Sequence, residues 1–204
     1  MYENDFYDDL AGALERSWRL LEEAIGDPTS PVRTPVMISV STGGLAQGRT
    51  VVLRGFNRQQ RQLQIYTDVR SAKVAQLRAQ PACTLVAYQP NPMMQLRLST
   101  NAIVNHNNEI THEAWAVMPG PNRCNYLTDP DPGSISVQVT DGRPVINAES
   151  VPTNDENEIA YSHFSVIAFT INELEWLYLP RRGHRRAQFI WDGADSLQSD
   201  WLIP

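Results

Sequence analysis

The sequence predicts a mainly β chain of the α+β kind, an antiparallel barrel with a few peripheral helices. Seven or eight short apolar or alternating runs recur at hairpin-like spacing, most closed by Gly, Pro, Asn or Asp. Helical periodicity is confined to two or three isolated segments, so the regular strand–helix alternation of a parallel doubly wound sheet is absent. The chain has 204 residues, 42% of them hydrophobic and 20% charged, which is enough to bury a sizeable core as one domain over residues 1–204.

The elements follow in order. Over 5–24, Phe6, Leu10, Leu14, Trp18 and Leu21 fall at steps of three and four, predicting an amphipathic helix with Asp5 as N-cap and Gly26 just past its end. DPTSPVRTP breaks regular structure. Strands are expected at 36–42, 49–56 and 63–68, separated by the GGLAQG and NRQQRQ turns. Residues 71–80 take a helical period through Val74 and Leu77, with Ser71 available as cap. Further strands are expected at 82–88 and 94–104, joined through QPNP, and a short helix at 111–118 that PGP stops. From 128 to 160 the text is rich in Asp, Pro, Gly and Asn and reads as a surface excursion, functional or mobile. A strand, a turn at Asn172 and another strand fill 164–180, and AQFIWD (187–192) is the last strand.

Charge and motif content narrow the function classes. A net charge of -6 and a pI near 5.2 disfavour non-specific attraction to nucleic acid or anionic membrane. No apolar run approaches the ~18 residues of a bilayer span, and the acidic MYENDFYDDL lacks the order of a signal peptide, so the expected location is cytoplasmic. Cys83 and Cys124 lie far apart with no CxxC pairing, so neither a metal site nor a disulfide framework is expected. Nucleotide-fold and zinc-protease motifs are missing.

Against this acidic background, three strand ends collect positive charge. RTVVLR carries Arg49 and Arg54, five residues apart and on opposite faces of a regular strand. YTDVRSAK opens a helix with Ser71 and Lys73, where unpaired N–H groups and the dipole favour an anion. WLYLPRRGHRRAQF adds Arg181, Arg182, Arg185 and Arg186. Each cluster alone reads as a solvated hairpin tip; together they favour a phosphate site, for which bidentate arginine is well suited.

RTVVLR, YTDVRSAK, the glutamine of MMQLRLS and Trp176, Arg182, His184 and Arg186 at offsets 0, 6, 8 and 10 occur in the order of the pyridoxamine 5'-phosphate oxidase family. The resemblance runs from about residue 34 to 204. It implies an FMN-binding split β-barrel, a homodimer with flavin at the subunit interface, and flavin-dependent oxidation of a small anionic substrate. By that resemblance Arg49, Thr50, Val51, Val52, Leu53 and Arg54 line the flavin, with Arg49 near its phosphate. Tyr66 and Thr67 contribute flavin contacts, and Ser71 and Lys73 face the phosphate. Gln95 bonds the isoalloxazine, and Trp176 and Arg186 complete the site from the partner subunit. Arg54, Arg182 and His184 match substrate positions, and Arg123 is a further candidate for a substrate anion.

Read without the resemblance, Trp176 is a core residue, His184 a surface histidine, Tyr66 an ordinary strand aromatic and Gln95 a surface strand position. Two departures stand out. The family's Ser-Arg-Lys at the phosphate helix is Ser71, Ala72, Lys73 here, with Arg70 one step earlier. The Tyr, Arg and Ser that clamp the substrate phosphate at four-residue spacing are replaced by Trp115, Pro119 and Arg123. A non-catalytic flavin-binding, storage or sensing protein therefore stays open as an alternative, as does a flavin-free barrel for another phosphate ligand.

Overall fold

The computed structural model describes residues 5–144, 150–193 and 196–204. Asp5–Asp8 form a 3-10 turn, and helix α1 (Leu10–Gly26) starts at Asp9, whose carboxylate accepts the Gly12 amide at 2.8 Å. The helix thus begins five residues later than its periodicity predicts. The 3-10 turn folds back on it so closely that a Cβ on Gly12 would lie 2.8 Å from the Phe6 Cβ. Its buried stripe, including Trp18 and Leu21, packs on the sheet, with Trp18 against Phe56 at 5.6 Å and Trp191 at 5.5 Å.

The strands are β1 (Val36–Val40), β2 (Ala46–Thr50), β3 (Leu53–Asn57), β4 (Gln62–Asp68), β5 (Ala82–Pro90), β6 (Met93–Asn105), β7 (Phe164–Tyr178), β8 (Arg185–Asp192) and β9 (Ser196–Leu202). All pairings are antiparallel, in the order β2-β1-β5-β6-β7-β4-β3, with β8 and β9 branching from β7. The sheet does not close, as in a split barrel.

β7 explains why. Its one edge pairs with β6 along Val166–Tyr178, while the other pairs first with β4 (Phe164–Thr170) and then with β8 (Glu173–Tyr178). The register against β6 jumps from Ser99 opposite Glu173 to Thr100 opposite Ile171. Asn172 is therefore the extra residue of a β-bulge, and the turn expected there does not exist; bulges bend a strand and increase its twist.

Other expectations are corrected in the same way. The single strand expected at 49–56 is two strands, broken at Val51–Val52, where the Val51 amide bonds the Pro35 carbonyl at 3.0 Å. β9 was not expected. Within the 128–160 excursion, α5 (Asn154–His163) is a regular helix with a capping box between Thr153 and Glu156. Residues 128–144 are irregular, and 145–149 lie outside the described residues. The remaining helices are α2 (Ala72–Ala79), α3 (Glu109–Ala116, capped by Asn108) and the short α4 (Gly120–Arg123), which runs into a 3-10 turn at Cys124–Tyr126. No described helix is long and apolar enough to cross a membrane.

The barrel interior holds one cluster, including Met37, Leu53, Leu63, Leu85, Leu98, Phe169 and Trp176. A second lies outside the sheet, where α3 and α5 bury Trp115, Cys124, Leu127 and Ala160 against Phe164 and Val166. Phe169 is fully buried opposite Leu63 on β4 and Ala102 on β6. Phe169→Ala is expected to cost about 3–5 kcal/mol, read as a lower urea midpoint with an unchanged slope.

Candidate functional site

Arg49 on β2 and Lys73 on the first turn of α2 converge at one end of the barrel. The Arg49 guanidinium donates to Ser39 Oγ, an inward-facing hydroxyl on β1, and to Gln76 Oε1 on α2 at 3.1 Å. Lys73 Nζ donates to Thr67 Oγ1 at 2.9 Å and Ser71 Oγ at 3.1 Å. Neither cation has a carboxylate within ion-pair distance among the described residues. Ser71 stands at the N-cap position of α2 but bonds the Asp68 carbonyl at 2.7 Å instead of a helix amide. Burial first, and then the Arg49 charge, hold the Lys73 amine below the ordinary lysine range, while Asp68 pulls it back up. Burial likewise lowers Arg49. Two half-buried cations that face hydroxyls and no acid form a donor set that fits a phosphate.

Arg54 was expected on the same strand as Arg49, but it sits on β3 at another irregularity. The register to β4 passes from Leu53–Ile65 to Gly55–Gln64, leaving Arg54 unopposed. Such a bulge re-aims the side chain. Arg54 opens onto a cavity of about 190 Å³ together with Tyr66, Asn122, Asn125 and Tyr126. Burial pushes both phenols up, opposed by the Arg54 charge. Tyr66 directly precedes Thr67 on β4, so the two side chains leave opposite faces of the strand, Tyr66 toward the outer cluster and Thr67 toward Lys73.

The other expected residues fall into three groups. Val51 and Leu53 are buried, while Thr50 and Val52 face outward at the strand break. Gln95 and Arg186 lie on the outer face of the sheet, where Glu175, only 4% exposed, pairs with both Arg97 and Arg186. Arg186 Nη2 reaches Glu175 at 2.9 Å, and its Nε is buried without a partner. Arg182 and His184 are exposed in the β7–β8 hairpin turn around Gly183, whose φ of +112° suits glycine.

Trp176 lies apart from these residues. It is 0% exposed inside the barrel, with its indole N–H on Met94 Sδ at 3.3 Å. The hairpin register pairs Trp176 with Ala187 and Leu177 with Arg186, so Trp176 and Arg186 point to opposite faces.

Arg123 and Arg70 are engaged elsewhere. Arg123 donates to the carbonyls of Met118 and Trp115 at 3.2 and 2.9 Å and to Asn157 at 3.1 Å, and it covers the Trp115 ring. Arg70 pairs with Asp68 and Asp131 and bonds Thr128, tying down the start of the excursion. Sequence reasoning missed Ser39, Gln76, Asn122, Asn125 and Tyr126. Only Ser39 left a signal, a hydroxyl at an inward position of an alternating strand.

Residues 15–106 match the family model described as pyridoxamine 5'-phosphate oxidase, FMN-binding domain, a segment that includes Arg49, Arg54, Tyr66, Lys73 and Gln95. No curated protein sequence matches the chain. Solved structures with a similar fold include a pyridoxamine 5'-phosphate oxidase-related, FMN-binding protein of Nostoc punctiforme PCC 73102, at 20% identity and TM-score 0.69 over 93% of this chain and 96% of that one. PhzG of Burkholderia lata 383, solved with tetrahydrophenazine-1-carboxylic acid, matches at 14% identity and TM-score 0.67 over 100% and 98%. A Clostridium acetobutylicum protein related to general stress protein 26 of B. subtilis, of the pyridoxinephosphate oxidase family, matches at 10% identity and TM-score 0.53 over 87% and 94%. Residues 15–106 thus resemble the FMN-binding domain of the pyridoxamine 5'-phosphate oxidase family in sequence, and nearly the whole chain shares the split-barrel fold of these solved structures.

The Lys73 charge has a consequence for stability. A lysine whose folded value lies below its ordinary 10.5 leaves the folded state with fewer protons than the unfolded one between those two values. Its charge therefore costs stability at neutral pH, and the cost fades as pH rises. Ligand-free Lys73→Met is expected to melt no lower than the parent near pH 7, with the parent gaining on it toward about pH 10. Thermal melts across that range check it, and the variant should also lose most of the melting-temperature rise that inorganic phosphate gives the parent.

Proposed function

We propose that the protein binds FMN and acts as a flavin-dependent oxidoreductase whose substrate site departs from that of pyridoxamine 5'-phosphate oxidase. The convergence of Arg49 and Lys73 on neutral hydrogen-bond partners, with no carboxylate in ion-pair contact among the described residues, carries this reading. Arg49, Lys73, Ser71 and Thr67 would hold the phosphate, with Arg54 and Tyr66 on the side of the flavin ring and of the substrate. FMN, when bound, supplies a two-electron redox centre that takes a hydride from a substrate and passes electrons to an acceptor. The chain's own residues neutralise the phosphate charge, orient the ring and shape the adjoining cavity. That cavity favours catalysis over storage, because storage needs no second ligand space.

A second copy of the chain fits this reading. On one outer face of the sheet the cross-strand row Val36–Val86–Arg97–Glu175–Gln188 sets the exposed Val36 and half-buried Val86 beside the buried Glu175 charge. Tyr88 and Met93 extend it at 44% and 37% exposure. An isologous dimer through this face would bury that surface and bring Gln95, Arg186, Arg182 and His184 toward the other copy's site. The purified protein is expected to be yellow and dimeric by light scattering. FMN added at about a hundred times its Kd should raise the melting temperature by roughly 5–10 °C. No flavin spectrum and no thermal shift would refute the cofactor; a flavin-loaded monomer would refute the interface.

Pyridoxine and pyridoxamine 5'-phosphates are expected to be poor substrates. Trp115 is buried, Pro119 has no donor and Arg123 is spent on Trp115, Met118 and Asn157. Losing two charge-assisted hydrogen bonds of about 1.5–3 kcal/mol each weakens binding by roughly two to four orders of magnitude. Steady-state assays for pyridoxal 5'-phosphate check this; a micromolar KM with turnover typical of the family would overturn it.

A further inference from the structure

We propose that the cavity beside Arg54 is a subsite for a small ring-bearing carboxylate, held by Arg54, Tyr66, Tyr126 and Asn122. It deepens the flavin reading by naming the substrate class, and rests on that reading only in calling the ligand a substrate.

Charge is the first argument. Arg54 makes no hydrogen bond or ion pair to any described residue. The cations around it are committed: Arg70 to Asp68 and Asp131, Arg123 to carbonyls and Asn157, Arg143 to Asp141 and Asn125. One unspent guanidinium balances one carboxylate and can grip it with two parallel N–H donors. A phosphate monoester, at about −1.5 to −2 near neutral pH, would leave charge uncompensated in a partly desolvated pocket.

The remaining walls agree. The Tyr66 and Tyr126 phenols, both pushed upward by burial, stay protonated and able to donate, and the Asn122 carboxamide adds further N–H groups. Ala114, Val117, Met118 and Pro119 form the apolar side. At about 190 Å³ the space exceeds the roughly 150 Å³ of an apolar cavity known to take benzene. It therefore suits one ring and its carboxylate. Asn122, Asn125 and Tyr126 all belong to the short segment after α3, in the region where the family's phosphate clamp is missing, so the replaced segment supplies neutral donors.

A matched series on one ring tests this: benzoate, benzamide and phenyl phosphate, titrated calorimetrically into the purified full chain, with flavin content read separately from visible absorbance. Benzoate is expected to bind at least about tenfold more tightly than either of the others. Tyr126→Phe and Arg54→Met, each checked for a cooperative melt, should each weaken it by about fivefold or more. Phenyl phosphate binding as tightly as benzoate, benzoate indifferent to both substitutions, or no benzoate binding at millimolar concentration would each overturn the subsite. Should a variant not fold, the comparison among the three ligands on the parent chain still decides. A colourless sample that does not take up FMN refutes the cofactor reading, and the same titrations then judge the subsite alone.

Discussion

Everything in the molecule hangs on the hydrogen-bonding obligations of β7. Its fifteen residues pair with β6 on one edge, but its other edge is divided between β4 and β8, with the Asn172 bulge at the division. Backbone groups in a sheet must be paired or solvated, so two strands sharing one edge have to diverge beyond it. β4 turns toward β3, carrying Tyr66 and Thr67 to the cluster and cavity. β8 turns toward β9, carrying Arg186 to the opposite outer face. The barrel is split because one strand serves two partners in succession.

Electrostatics then sorts the arginines. In a chain of net charge -6, acids are plentiful, and most basic residues that lie near one pair with it. Arg185 meets Asp8, Arg186 and Arg97 share Glu175, and Arg70 lies between Asp68 and Asp131. Such pairs hold elements together, and the buried Glu175 would be costly without its two partners. Arg49 and Lys73 are different, since they sit in half-buried surroundings with only neutral hydrogen-bond partners, while Arg54 is exposed at the cavity mouth. A fold tolerates that expense where a ligand offsets it, which is why perturbed, acid-free cations point to function more reliably than exposed ones.

The same logic separates two kinds of anion space. The Arg49–Lys73 cluster offers two positive charges and several hydroxyls, a match for a phosphate. The Arg54 cavity offers one charge, two phenols and a carboxamide against an apolar wall.

Much of this was legible in the residues. Strand spacing and the lack of strand–helix alternation determined the antiparallel class, and ordered local motifs pointed to Arg49, Lys73 and Arg54, because strand ends and helix starts are local in the chain. Turn and bulge chemistry was not legible: Asn172 looks alike in a turn and in a bulge, and only pairing with β6 decides. The α5 helix did leave a signal, Thr153 followed by Glu156, hidden by the polar composition around it. Trp176 shows the limit most clearly. Its offset of ten from Arg186 resembles a shared site, yet the hairpin register puts the two on opposite faces. Register is a relation between strands, and spacing along one chain cannot encode which residues end up across from each other. The commitment of Arg123 to Trp115 and Met118, and the aim of Arg54 into its cavity, were likewise decided by tertiary packing alone.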